Sequence, residues 1–473
     1  MIVIFSLVLC SYLTAQENFN KKMSIHEQKE DFEIFRNTLT SIHPNLYLYT
    51  PKSTLDSMLF DLEAQLNEPL SPVHFFRLLT PIIHAVRNSH TTIRPPESFL
   101  DYVRSDVNRL PMKFIYRNDS LIVVDIYGAN YRIKSGDVVT KINGIPAAEL
   151  MDSLAQYTFI DGYNQHYSNY LSSIYLSRRY AYFIGEPSQF IVEFYDSNGN
   201  IEKEYIESLP IEAFNPEKNT RDDKKKYNFK IENNIAYITV RDFTIEKEQK
   251  FKKDLNEYFK QITRQNIEYL VLDLRDNRGG NPENTDNLLR FFIKEKVYPI
   301  KEKFSLIDDL AGYEHILIDD AYKYFQRSKK GSNSNGVYIL EDEINVSIKP
   351  NRHQFKGKLV VLINENCASA TTSFLGQIRT HVSEAVFIGN TTLGNPYIVV
   401  ADYMVSLKLP NSDLIVKIPL VSSEKNVDFQ NPRGGVEPDI VIPTTLEDLK
   451  GKTDNVMKEA NKIIMELKNN RTQ

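Results

Sequence analysis

The stretch from Lys358 to Phe374, KLVVLINENCASATTSF, constrains this chain most. Leu359-Val360-Val361-Leu362-Ile363 is a short apolar run between polar residues, the pattern of a strand covered on both faces. Asn364-Glu365-Asn366 ends it, and the small residues Cys367-Ala368-Ser369-Ala370 follow. Phe374, Leu375 and Ile378 then recur at helical spacing. A buried strand that turns tightly into a helix displays a side chain at the strand's carboxyl end. The helix start beside it offers N–H groups to a developing oxyanion. Ser369 is the candidate nucleophile, and Cys367 is a second thiol candidate. The same residues also fit a turn that only packs a helix closely on a sheet, since serine is common at helix starts.

A length of 473 residues allows two or three domains, and a net charge of −5 gives no basic surplus for a nucleic-acid partner. Met1 to Leu9 is almost wholly apolar, and Ser11 to Ala15 leads to Gln16-Glu17, which predicts a signal peptide over 1–15 and a periplasmic or secreted location. Cys10 adds a lipoprotein alternative, although Leu9 is large for the residue before a lipidated cysteine. No later segment reads as an integral membrane span. Removal of 1–15 leaves Cys367 alone, so the mature chain has no internal disulfide to form.

Ser24-x-x-Glu27 reads as a capping box opening a helix with Phe32, Phe35, Leu39 and Ile42 on one face. A second helix carries Leu55, Leu59, Leu62 and Leu66, and Ser71-Pro72 opens a third that reaches about Val86. These predict a helical domain over 24–100. Ser89-His90, just past the third helix, is a histidine beside a hydroxyl, a candidate general base or an incidental surface turn. Strands follow at 112–116 and 121–126. Ile133 to Pro146, with its Gly136-Asp137 and Asn143-Gly144 turns, resembles a PDZ segment, and a hairpin is expected at 189–206. This predicts a PDZ-like β domain over 108–210 that either binds extended peptides by strand addition or only spaces its neighbours. Residues 211–226 read as a charged linker.

A β-α-β pattern then begins with strands 235–240 and 269–274 around an amphipathic helix. Arg275-Asp276-Asn277-Arg278-Gly279-Gly280 follows the second strand, where two glycines let the backbone turn sharply and point N–H groups outward. No Walker lysine accompanies them. The interval 297–357, with a loop at 331–336, is expected as an elaboration or lid over the site. A strand at 385–389, a polar turn at 390–395, a loop at 434–440 and a helical tail over 446–473 complete the chain.

Four segments in order, Asn88-Ser89-His90-Thr91, Asp273-Leu274-Arg275-Asp276-Asn277-Arg278-Gly279-Gly280, Cys367-Ala368-Ser369-Ala370 and Gly435-Val436-Glu437-Pro438-Asp439, resemble the tail-specific, or C-terminal processing, serine peptidase family, in its tricorn-core-like subgroup. The resemblance implies an α+β multidomain fold: the helical domain, the PDZ-like domain and a crotonase-like or ClpP-like α/β catalytic core over 227–445. It implies Ser369 as nucleophile, His90 as base, Ser89 orienting His90, and Glu437 supporting Ser89. Gly279, Gly280 and Ala370 would form the oxyanion hole. The lysine of the other branch of the family is replaced here by Asn395. The implied activity is an endopeptidase acting on peptides or unfolded protein segments, without metal or cofactor. The alternatives are a catalytically inactive ligand- or peptide-binding protein on the same fold, and a hydrolase of non-peptide esters or amides.

Overall fold

The computed structural model describes residues 19–105, 107–128, 130–163, 165–213, 226–332, 336–428 and 434–469. The expected leader at 1–15, most of the linker at 211–226 and the centre of the 331–336 loop lie outside them. Mixed helices and sheets make up the described chain, and its three sheets each set one part of the site.

The first three helices form as their caps predict. Ser24 and Glu27 close a capping box on Ile25–Ile42, and the Ser71 hydroxyl accepts from His74 N–H ahead of Pro72–Val86. Lys52–Gln65 lies between them. Their apolar faces do not pack only on one another. Phe32, Phe35 and Leu39 share a core with Val405, Leu407, Val416, Ile418 and Leu420. Those five residues belong to a long antiparallel hairpin, Ile398–Lys408 with Ile415–Lys425. Asp31 pins the hairpin turn to the first helix by accepting Asn411 N–H at 3.0 Å and Ser412 N–H at 2.8 Å.

That hairpin centres a seven-stranded sheet and is absent from the sequence reading, although Val416-Lys417-Ile418 alternates between apolar and polar after an Asn-Ser-Asp turn. The interval expected as a lid also belongs to it. Ile300–Ser305 pairs with Ile415–Lys425, and Tyr338–Leu340 with Lys330–Ser332 extends the edge. Each strand is too short to stand out by periodicity, and only ladder partners distant in sequence define it. Thr92–Arg94, just beyond His90, pairs with the same Ile415–Lys425 strand.

A second antiparallel sheet runs Met112–Arg117, Ser120–Ile126, Val138–Ile142, Gln189–Tyr195, Ile201–Glu207. The helices Ala147–Ala155, Gln165–Ile174 and Leu176–Phe183 lie between its third and fourth strands.

The third sheet carries the nucleophile turn. Its order is Ile440–Val441, Val386–Gly389, Lys358–Ile363, Tyr269–Asp273, Ile235–Val240 and Tyr227–Glu232, all parallel except the last pair. Lys358–Ile363 is covered on both faces. Leu359, Val361 and Ile363 pack toward the helices Glu248–Arg264 and Ala370–His381. Val360 and Leu362 pack toward Ala460 and Ile464 of the C-terminal helix Asn455–Asn469. Among the described residues no helix is long and apolar enough to cross a membrane.

Candidate active site

Ser369 stands between the strand Lys358–Ile363 and the helix Ala370–His381 with φ +53° and ψ −124°. Positive φ at a non-glycine residue is strained and persists only where the surroundings hold it. Here they do. Ala368 N–H donates to Asn277 O at 3.2 Å, Leu393 N–H donates to Cys367 O at 2.8 Å, and Thr372 Oγ1 donates to Leu393 O. The Ser369 hydroxyl makes no cap bond to its own helix, so it is spent on no local contact. Cys367 is fully buried, donates to Leu274 O at 3.1 Å, and is pushed up to about 12 by burial, the environment of an inert packing thiol.

Asn277 ties the glycine turn to the nucleophile turn. Its buried amide donates to Val240 O at 3.0 Å, while its Oδ1 accepts Gly279 N–H at 3.0 Å and Thr371 Oγ1 at 2.8 Å. The base of this turn is held by charge. Asp273 is 2 % exposed and receives bidentate guanidinium contacts from both Arg241 and Arg275 at 2.7–2.9 Å. Arg275 bridges on to Asp454. Burial alone would raise the Asp273 carboxyl, but the two guanidiniums hold it below the ordinary range.

Gly279 has φ +101°, and a Cβ placed there would lie 2.9 Å from both Ser369 Cβ and Ala368 O, so only glycine allows this approach. Its N–H, expected in the oxyanion hole, is committed to Asn277 Oδ1. Gly280 also requires glycine, since a Cβ would fall 2.3 Å from the Phe243 and Thr244 backbone. Among the described residues the N–H groups of Gly280 and Ala370 are not taken up by a backbone partner.

His90 follows the C-capping Arg87 of Pro72–Val86 and precedes Thr92–Arg94. Its Nδ1 lies 3.4 Å from Ser89 Oγ, and its N–H donates to Asn88 Oδ1 at 3.2 Å. Ser89 is held by a residue that sequence reasoning missed. Asp161, 8 % exposed, accepts Ser89 Oγ–H at 2.5 Å, Ser89 N–H at 3.1 Å and Asn88 Nδ2–H at 3.2 Å. The Asp161-Gly162 pair was visible only as an ordinary turn signal in a segment read for its sheet. Asp161 also borders the nucleophile loop: a Cβ on Gly394 would lie 3.6 Å from Ser369 N and 3.7 Å from Asp161 Oδ2. The described hydrogen bonds therefore gather Ser89, His90 and Asp161 into one cluster, with Gly394 between Asp161 and Ser369.

Glu437, expected to support Ser89, stands elsewhere. It is exposed, and its carbonyl accepts from Arg379, near the far end of the Ala370–His381 helix from Ser369. Arg379 also pairs with Asp439. Asn395, at the position of a lysine in the other branch, donates to Tyr49 OH at 2.9 Å and accepts Tyr397 N–H at 2.8 Å. Burial, then the Asp161 charge, pushes the Tyr49 phenol above its ordinary range.

Residues 234–442 match the family model described as Peptidase family S41. No curated protein matches the chain. Among solved structures, mature CPAF is similar with a TM-score of 0.59 at 13 % identity, over 94 % of this chain and 98 % of that one. A serine-to-alanine mutant of CPAF gives a TM-score of 0.62 at 13 % identity, over 93 % and 96 %. The photosystem II D1 C-terminal processing protease aligns over 90 % of this chain and 96 % of its own at 15 % identity, with a TM-score of 0.42. At these identities the structural likeness is one of fold.

Proposed function

We propose that this chain, whose residues 234–442 match the model of peptidase family S41, is a serine-type endopeptidase of the tail-specific group that acts on peptides or unfolded protein segments, with Ser369 as nucleophile and His90 as general base. The observation that carries this reading is the Ser369 backbone, strained to φ +53° at a helix start, with its hydroxyl free of a cap bond and glycine packed against its Cβ. Such a turn costs about 1–3 kcal/mol, and its restraints hold the hydroxyl out of the helix cap. A serine hydroxyl needs a positioned base at neutral pH. His90 takes the proton and returns it to the leaving amine. The Ser89 hydroxyl donates to Asp161, so its lone pair faces His90 Nδ1, which selects the tautomer with Nδ1–H and leaves Nε2 as the base. Gly280 and Ala370 N–H groups stabilise the tetrahedral oxyanion, each donor contributing about 3 kcal/mol of barrier lowering.

In this reading the sheet of strands 112–207 is the PDZ-like domain governing access, and 1–15 directs the chain out of the cytoplasm. Fluorophosphonate labelling tests the chemistry. The wild type labels, and Ser369→Ala and His90→Ala do not. A wild type that stays unlabelled, where a control serine hydrolase reacts, removes the reading in favour of a binding protein on this fold.

A further inference from the structure

Beside the nucleophile the second sheet's helices build a wall that the catalytic reading does not use. Ile160 and Tyr167 pack with Ala368 and Leu393, the residues flanking Ser369 and Gly394, and Tyr170 and Leu171 lie against them. The wall is cationic where the helix Gln165–Ile174 gives way to Leu176–Phe183. The Arg278 guanidinium, one residue before the glycine turn, is bonded to the Tyr175 hydroxyl. Arg178 stacks over the same Tyr175 ring with its Cζ 4.7 Å from the centroid. Arg179 reaches inward and donates to the Leu154 carbonyl at 3.3 Å, to Ser172 Oγ at 2.6 Å and to Thr158 Oγ1, all neutral acceptors.

Arg278 and Arg178 thus meet on one tyrosine, Arg278 standing one residue before the glycine that packs on Ser369 Cβ, and among the described residues neither is in an ion pair with a carboxylate. Nearby acids do not cancel them. Asp276 acts on Arg278, but its Oδ1 is already held by the Asn364 and Asn366 amides at 2.9 Å each. Glu365, which faces Tyr167 and Tyr170, is pushed by burial toward its neutral form. Burial, then Arg178, disfavours the Arg179 charge, so an added anion relieves an existing cost. Arg178 and Arg278 are exposed residues, and the Arg278 guanidinium is partly covered where it meets Tyr175.

We propose that Arg278 and Arg178 form a carboxylate-binding subsite beside Ser369 and select peptides bearing an acidic group near the scissile bond. The proposal rests on the peptidase reading above. An arginine fork matches a carboxylate in shape as well as charge, and Tyr175 holds both forks in place. The carboxylate comes from an acidic side chain or from a peptide's own terminus, and the test separates these sources.

Four peptides of one sequence serve: Glu or Gln at a scanned position, each with a free or an amidated C-terminus. The wild type is expected to prefer a carboxylate-bearing peptide by about tenfold in kcat/KM at low salt, mostly through KM, with the preference shrinking as salt rises. A preference kept in the Glu peptide with an amidated end assigns a side-chain carboxylate, and one seen only with the free end assigns the terminus. In R278Q and R178Q the ratio falls toward 1. R178Q lies on an exposed helix position, so its effect is not a folding defect. Cleavage of all four peptides at equal rates by the wild type, or an unchanged ratio in both variants, overturns the subsite while leaving the peptidase reading intact. Cleavage of none of them counts against the peptidase reading itself.

Discussion

Asp161 and Ser89, 72 positions apart, are joined twice: the Ser89 hydroxyl and the Ser89 N–H each donate to one oxygen of the same carboxylate. Asp161 lies between the helices Ala147–Ala155 and Gln165–Ile174, whereas Ser89 follows the N-terminal helices. The orientation of His90 therefore depends on contact between two parts of the molecule that fold from separate stretches of chain.

Replacing Asp161 by Asn leaves a side chain of the same shape without the charge that orders the Ser89 hydroxyl. Peptidase kcat is expected to fall by about 10²-fold with KM little changed, because the imidazole loses its fixed tautomer. D161E should recover part of the loss. Steady-state kinetics on one peptide checks both, and an equal loss of thermal stability in the two variants would point to a purely structural role.

Gly279→Ala places a methyl group 2.9 Å from Ser369 Cβ and Ala368 O at a backbone φ of +101°. Loss of fluorophosphonate labelling is expected together with a destabilisation of about 1–3 kcal/mol. Denaturant melts and labelling of the same preparation measure the two effects.

Asp273 is a buried carboxylate facing two arginines. Removing it in D273A takes the carboxylate partner from Arg241, leaves Arg275 paired with Asp454 alone, and is expected to cost about 3–5 kcal/mol in urea unfolding. The glycine turn that follows it loses its anchor, so activity should fall further than stability alone accounts for.

His43 sets an acid limit on the fold. Its Nε2 lies 2.8 Å from Thr91 Oγ1, and Thr91 donates its own proton to Asn88 Oδ1, so His43 must donate through Nε2. Nδ1 is buried and has no partner among the described residues, and burial brings the imidazole down to about 3. The folded imidazole is thus neutral where the unfolded one, near 6.5, binds a proton. Stability is unaffected above about pH 6.5 and is lost as pH falls from there toward 3, by about 1.4 kcal/mol per pH unit from this residue. Chemical unfolding between pH 7 and 5 should show that slope, and H43Q should flatten it.

The sequence alone determined the local pieces. The unbroken apolar run over 359–363 marks a strand covered on both faces, Ser24-x-x-Glu27 and Ser71-Pro72 mark helix starts, and the small-residue run marks Ser369, because apolar runs, caps and turns are properties of near neighbours in the chain. Tertiary structure decided what those pieces meet. Ile300–Ser305 and the hairpin 398–425 became one sheet because each strand's stability lies in a partner far along the chain. The carboxylate on Ser89 proved to be Asp161 rather than Glu437, and Gly279 gave its N–H to Asn277. A hydrogen bond is settled by distances of a few tenths of an ångström, and no spacing in sequence encodes those.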